Sequence, residues 1–161
     1  MMNKFGLILI FGLLFSLGIT KLSAQNYSTA AGVRGGGLNA ISVKHFVDDG
    51  RALEGIVATR WRGMQITGLY QIHAQAFNVE NLYWYYGGGA HIGFFNGYKD
   101  HPYFDDDKSY TNIGIDGVIG LEYVFQEIPI NISVDWKPEF NIIGASGVWF
   151  GDGGIAIRYY W

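Results

Sequence analysis

The chain has 161 residues, of which 16% are charged and 17% aromatic, with 24 glycines and no cysteine. That length is enough for one domain, and the lack of cysteine excludes both a disulfide framework and the lipid attachment of a bacterial lipoprotein. The formal net charge of −3 argues against nucleic acid as a partner.

Residues 1–24 have the pattern of a secretory signal peptide. Lys4 precedes an apolar run over 5–19, and Ala24 offers a small residue at the cleavage point. A membrane-spanning helix is the alternative, but it needs roughly 20 apolar residues. We therefore expect an exported domain over 25–161, with the cleavage position left open.

After residue 24, apolar and polar residues alternate with a period of two, which predicts an all-β fold. No segment carries an apolar stripe at helical spacing, and glycine interrupts most candidate windows. In chain order, the predicted strands cover about 27–35, 39–47, 53–62, 64–77, 82–94, 112–123, 130–139 and 155–161.

One face of these eight strands has no Asp, Glu, Lys or Arg, whereas the other face collects charges of nearly balanced sign. The charged face holds Arg34, Lys44, Glu54, Arg60, Arg62, Asp116, Glu122, Asp135, Lys137, Glu139 and Arg158. This pattern predicts an eight-stranded antiparallel up-and-down barrel. It leaves open whether the apolar face lies inside, as in a soluble barrel, or outside, as in a membrane barrel.

Three features favour the transmembrane β-barrel with a polar interior. The charged residues are few for a water-facing surface. Aromatic residues cluster near predicted strand ends, as in the girdles of membrane barrels; they are Tyr27, Trp61, Trp84, Tyr123, Trp136, Tyr159 and Trp161. The strands, of about nine to 13 residues, match the roughly 9–11 that cross a bilayer at a tilt.

The connections also alternate in the order that a membrane barrel requires. The turns at 48–51, 78–81 and 126–129 are short and would share the periplasmic end with both termini. The longest connections, 96–110 and 141–152, would then face outward.

The C-terminal segment has a polar residue, a glycine and two spaced hydrophobic residues, in the pattern Asp152-x-Gly154-x-x-Ile157-x-Tyr159, and ends at Trp161. It resembles the signal that the barrel assembly machinery reads, and the whole exported domain resembles small OmpA/OmpX-like barrels, especially those of the Bacteroidetes. The resemblance implies the outer membrane of a Gram-negative bacterium, contact with its lipids, and Tyr159 and Trp161 in an aromatic girdle. It implies no particular activity, because fold does not determine function.

An eight-stranded barrel is just wide enough for side chains to fill it. Because buried charges require partners, we expect the eleven charged residues to form a structural plug. A narrow ion-conducting path through the same residues is the alternative. The sequence predicts no catalytic residue, no cofactor and no metal site.

The outer connections are the best candidates for contact with a protein or with lipopolysaccharide. The residues expected there are Asp105, Asp106, Asp107, Trp149 and Phe150. The three successive carboxylates could hold a divalent cation, and a solvated acidic loop is the plainer interpretation of them.

The predicted function is a non-enzymatic outer-membrane barrel with a structural or surface-interaction role. One alternative is a lipid A-modifying enzyme. The His-x-Ser pair of the deacylase type is absent, and a triad of His101, Asp105 and Ser109 is not demanded by the spacing. A soluble periplasmic ligand-binding barrel is the other alternative.

Overall fold

The computed structural model describes residues 27–60, 63–96, 109–144 and 147–161. These residues form ten antiparallel strands: β1 (Thr29–Gly36), β2 (Asn39–Asp48), β3 (Arg51–Arg60), β4 (Gly63–Gln75), β5 (Leu82–Asn96), β6 (Ser109–Val124), β7 (Ile130–Trp136), β8 (Glu139–Ile143), β9 (Gly147–Trp149) and β10 (Gly153–Tyr160). Among the described residues, no helix has the length and apolar character of a membrane span. The predicted signal peptide lies outside the described residues.

The sheet closes on itself into a barrel. β1 pairs with β2 on one side and with β10 on the other, so that Val33 lies opposite both Ile41 and Ile157. β5 likewise joins β4 to β6. The predicted all-β, antiparallel, closed barrel is therefore confirmed.

The ten strands make eight strands of the barrel wall, because two wall strands are interrupted. β7 and β8 are successive parts of one wall strand, broken at Pro138, whose carbonyl still accepts a hydrogen bond from the Gly117 amide at 3.0 Å. Proline has no N–H to contribute to a strand ladder, which explains the break. β9 and β10 are the two parts of the last wall strand, interrupted at 150–152.

The predicted outer loop over 141–152 is wrong in its boundaries. β8 continues to Ile143, and β9 occupies Gly147–Trp149 and pairs back onto β8. Gly144 and Gly151 interrupt the alternation in this segment, so the period-two pattern that marks the other strands is absent here.

The outward face of the strands is mostly apolar, and most of the charged side chains on the strands point into the barrel. Val33, Ile41 and Ile155 are 62%, 64% and 59% exposed, whereas Arg34 and Arg158 are buried. This is the arrangement of a membrane barrel and the inverse of a soluble one.

Two clusters of buried apolar side chains occupy parts of the interior. One cluster lies at the end of the barrel that holds Trp161 and the β2–β3, β4–β5 and β6–β7 turns, which we call the Trp161 end. This cluster contains Tyr27, Ala30, Tyr83 and Val124, and Phe46 and Tyr160 pack against it. The other lies deeper in the barrel and contains Leu38, Ala40, Ile56, Ala58, Leu69, Tyr85 and Val118.

The prediction that Tyr27 belongs to the outer aromatic girdle is wrong. The chain bends at Ser28 before β1 begins, so the alternation of β1 does not extend back to Tyr27. The ring is buried, stacks on Tyr160 and donates a hydrogen bond from its hydroxyl to Glu122 at 2.7 Å.

The β1–β10 seam depends on a close backbone approach at Gly32. A Cβ there would lie 2.0 Å from the carbonyl oxygen of Ile157 and 2.6 Å from the Cα of Arg158, both backbone atoms. At Gly55, on the outward face, a Cβ would meet nothing within 4 Å.

We therefore expect Gly32→Ala to destabilise the barrel by about 1–3 kcal/mol, because the two strands that close it must move apart. The matched control Gly55→Ala stays within about 0.5 kcal/mol of the wild type. Urea unfolding of the purified protein, followed by tryptophan fluorescence, measures both. Equal midpoints for the two variants would contradict the close approach.

Candidate functional site: the ionic interior

The charged side chains inside the barrel form two groups. The proximal ionic group, nearer the Trp161 end, consists of Lys44, Glu54, Glu122 and Arg158. The distal ionic group, nearer the opposite end, consists of Arg34, Asp116, Asp135, Lys137, Glu139 and Asp152. All ten are buried.

The proximal ionic group is balanced, with two cations and two carboxylates. Lys44 Nζ lies 2.9 Å from Glu122 Oε2, and Arg158 Nη2 lies 2.5 Å from Glu54 Oε1. Arg158 Nη1 is 3.8 Å from Glu122 Oε2 and so links the two pairs. These contacts join β2, β3, β6 and β10 across the interior.

Neutral side chains supply the remaining hydrogen bonds of this group. Arg158 donates from Nε to Ser42 Oγ at 2.7 Å and from Nη1 to Ser133 Oγ at 2.8 Å. Gln71 Nε2 donates to Glu54 Oε2 at 2.6 Å. Such bonds are necessary because ion pairing alone rarely offsets the cost of removing charges from water.

The distal ionic group is a chain of contacts. The Arg34 guanidinium reaches Asp135 Oδ1 at 2.6 Å and Asp152 Oδ1 at 2.9 Å. Lys137 Nζ lies 3.0 Å from Asp152 Oδ2 and 3.3 Å from Asp116 Oδ1, and it also contacts Glu139 Oε1. One ammonium therefore meets three carboxylates.

His91 extends the distal group toward β8. Its Nδ1 lies 2.9 Å from Asp116 Oδ2, and its Nε2 lies 2.8 Å from Asn141 Oδ1. On the other side of the cluster, Gln65 Nε2 donates to Glu139 Oε1 at 2.9 Å.

Tyr85 joins the two groups. Its hydroxyl donates to Asp135 Oδ2 at 3.0 Å, while the ammonium of Lys44 lies 4.3 Å from its ring centroid. A cation over an aromatic face is stabilised by the ring quadrupole. His73 stacks on the same ring with a centroid distance of 4.9 Å.

Inward-facing glycines make room for the largest polar side chains. A Cβ at Gly154 would lie 2.6 Å from Cζ of Arg34, and a Cβ at Gly114 would lie 2.6 Å from Cε1 of His91. Gly154, predicted from the sequence as part of an assembly signal, thus also accommodates the guanidinium of Arg34.

The structure places nine of the eleven predicted network residues inside the barrel: Arg34, Lys44, Glu54, Asp116, Glu122, Asp135, Lys137, Glu139 and Arg158. The Arg60 side chain and Arg62 lie outside the described residues. The sequence reasoning missed Asp152, which it assigned to the assembly signal at the end of an outer loop. Asp152 is an even number of residues from Arg158. The period-two pattern, extended back from Arg158, would therefore have predicted that Asp152 points inward.

The other predicted residues are outside the ionic interior. Ile157, Tyr159 and Trp161 are exposed on the outward face, and Tyr159 stacks on Trp161. Phe150 is exposed and stacks on Trp136, whose Nε1 donates to the Phe150 carbonyl at 2.8 Å; Trp149 is half-buried. Asp105, Asp106 and Asp107 lie outside the described residues.

Together, the fold and the site define a closed eight-stranded antiparallel β-barrel with an apolar exterior and a filled, ionic interior. Among solved structures, the N-terminal β-barrel domain of Pseudomonas aeruginosa OprF is similar, with a TM-score of 0.64 and 15% sequence identity. The similarity covers 83% of this chain and 95% of that chain.

At that identity the similarity to OprF concerns the fold, and it supports the predicted resemblance to small OmpA-like barrels. The particular resemblance to Bacteroidetes barrels stays a prediction. No protein-family profile matches the chain, and no curated protein matches its sequence.

Breaking one proximal pair tests whether these charges depend on each other. We expect Lys44→Met to cost about 3–5 kcal/mol, because Glu122 is left buried without its principal cation. The double variant Lys44→Met/Glu122→Gln is expected to be more stable than Lys44→Met alone.

Urea unfolding midpoints of the three proteins measure this effect. Arg51→Ala is the control, because Arg51 pairs with Asp48 at an exposed turn and should leave the midpoint unchanged. A double variant that is less stable than Lys44→Met would argue against the pairing.

Proposed function

We propose that this protein is a non-enzymatic barrel of the Gram-negative outer membrane, with a structural or surface-interaction role. The observation that carries the proposal is the combination of an apolar outer wall with an interior filled by paired charges. The fold similarity to the OprF barrel domain supports it.

The outer wall supports a membrane location. Outward side chains on every side of the barrel are large and apolar, among them Val33, Ile66, Ile115 and Val134. Contiguous apolar surface of this extent is rare on soluble monomers and marks a lipid or protein interface. The outward aromatic pair of Tyr159 and Trp161 suits the headgroup region, where amphipathic rings are enriched.

The interior supports a closed barrel rather than a pore. Contacts such as Lys44–Glu122, between β2 and β6, and Arg158–Glu54, between β10 and β3, cross the lumen between buried side chains. Two apolar clusters lie in the same interior. An ion passing through would have to separate several buried pairs.

The proposed orientation places the Trp161 end in the periplasm, after export and insertion by the barrel assembly machinery. The opposite end, where β5 ends and β6 begins, then faces the outside, with Phe150 and Trp149 near it. Contact with lipopolysaccharide or a protein partner belongs to this end. No cofactor is part of the proposal.

Membrane fractionation tests the location. We expect the protein to remain in the outer-membrane fraction after carbonate or urea washing, and to migrate faster on a denaturing gel before boiling than after it. The physical reason is that a closed, strand-paired barrel resists detergent until it is heated. Release by washing, or identical migration before and after boiling, would contradict the proposal.

Planar-bilayer recording tests the closed interior. The purified wild-type protein, reconstituted in lipid, is expected to show no steady single-channel current, because paired side chains fill the lumen. An established porin inserted in the same bilayers serves as the positive control. Steady currents from preparations that shift on boiling would instead support the conducting alternative.

A further inference from the structure

The distal ionic group has the composition of a metal centre. We propose that the barrel interior binds one divalent transition-metal ion, of the Zn²⁺ or Mn²⁺ class, at His91, Asp116 and Glu139, in exchange for the ammonium of Lys137. This goes beyond the structural role proposed above and does not depend on it.

The ligand atoms are already gathered. His91, Asp116 and Glu139 lie on β5, β6 and β8, and each offers one ligand atom within 4.8 Å of the others. His91 Nδ1 and Asp116 Oδ2 are 2.9 Å apart. Tetrahedral ligands of an ion with bonds of about 2.1 Å are separated by roughly 3.4 Å, so this pair would have to open by about 0.5 Å.

The structure also shows that a cation is stabilised at this point. Lys137 Nζ lies within 3.3 Å of Asp116 and 3.0 Å of Asp152, and it contacts Glu139 as well. Asp152 Oδ2 is buried and accepts no hydrogen bond, so the ammonium of Lys137 is its ionic partner.

Charge balance favours a doubly charged occupant. In the part of the chain that the structure describes, the distal group has four carboxylates and two basic side chains, Arg34 and Lys137, beside the ionisable ring of His91. The proximal group, by contrast, is balanced. Replacing an ammonium with a divalent ion adds one positive charge to the deficient group.

The donor set indicates the class of metal. One imidazole nitrogen with two carboxylates suits Zn²⁺, Mn²⁺ or Fe²⁺ better than Mg²⁺ or Ca²⁺, which prefer oxygen ligands throughout. Gln65, hydrogen-bonded to Glu139, would orient that carboxylate, as outer partners of metal ligands do.

The cluster has a partly exposed neighbour, and the ammonium that now occupies it can move. Asn141, bonded to His91 Nε2, is only half-buried and lies on β8 toward the end opposite Trp161. Lys137 carries its charge on a flexible four-carbon stem, so the ammonium can move without the backbone.

Titration with Co²⁺ tests the site, because this ion substitutes for Zn²⁺ and Mn²⁺ and its visible absorption spectrum changes when protein ligands replace water. We expect the folded wild-type barrel in detergent to bind about one equivalent. His91→Gln should weaken binding by about tenfold or more, since changes around a metal site commonly cost 10- to 100-fold. His45→Gln is the matched control, because His45 is exposed on β2 beside Thr29 and far in sequence from the cluster.

Lys137→Met tests the exchange. Removing the competing ammonium should raise Co²⁺ affinity about tenfold or more; unchanged or weaker binding by a folded variant would overturn the exchange. Every preparation is first checked for a shift on boiling, so loss of the barrel is distinguished from loss of the site. If a variant does not fold, the wild-type titration decides: no binding at millimolar Co²⁺, or binding abolished by His45→Gln, overturns the site.

Discussion

The pairing of charges inside the barrel is the interaction on which the rest of this structure depends. Ten buried ionisable side chains occupy the lumen of a narrow barrel, where a charge without a partner costs several kcal/mol. Their contacts link strands that are not neighbours in the sheet, as Arg34 on β1 does with Asp135 on β7. The ionic network therefore joins parts of the wall that only the closed barrel brings together.

The wall is shaped to admit these bulky polar groups. Gly154 and Gly114 leave space for the guanidinium of Arg34 and the ring of His91. The interruption at Pro138 lies next to Lys137, whose ammonium meets three carboxylates. The interruptions of the seventh and eighth wall strands thus lie beside the densest part of the distal ionic group. The proposed metal site is in the same part of the barrel.

Much of the architecture was accessible to sequence reasoning because the alternation is long and regular in β2 to β6. In those strands, once the face of one residue is known, the alternation predicts the faces of the residues that follow it. Where the alternation stops, the pattern no longer predicts the face on which a side chain lies. The bend at Ser28 turned Tyr27 inward, and the glycines around β9 concealed a strand and with it the inward direction of Asp152.

By itself, the sequence determined the fold class, the number of wall strands and the face on which most charges lie, since period-two patterning is local information. Which charges pair was decided by the tertiary structure. Arg158 reaches Glu54 and Lys44 reaches Glu122 across 104 and 78 residues of chain. The shear and closure of the barrel set those distances, and these are properties of the whole sheet that no single segment encodes. The convergence of His91, Asp116 and Glu139 arises for the same reason.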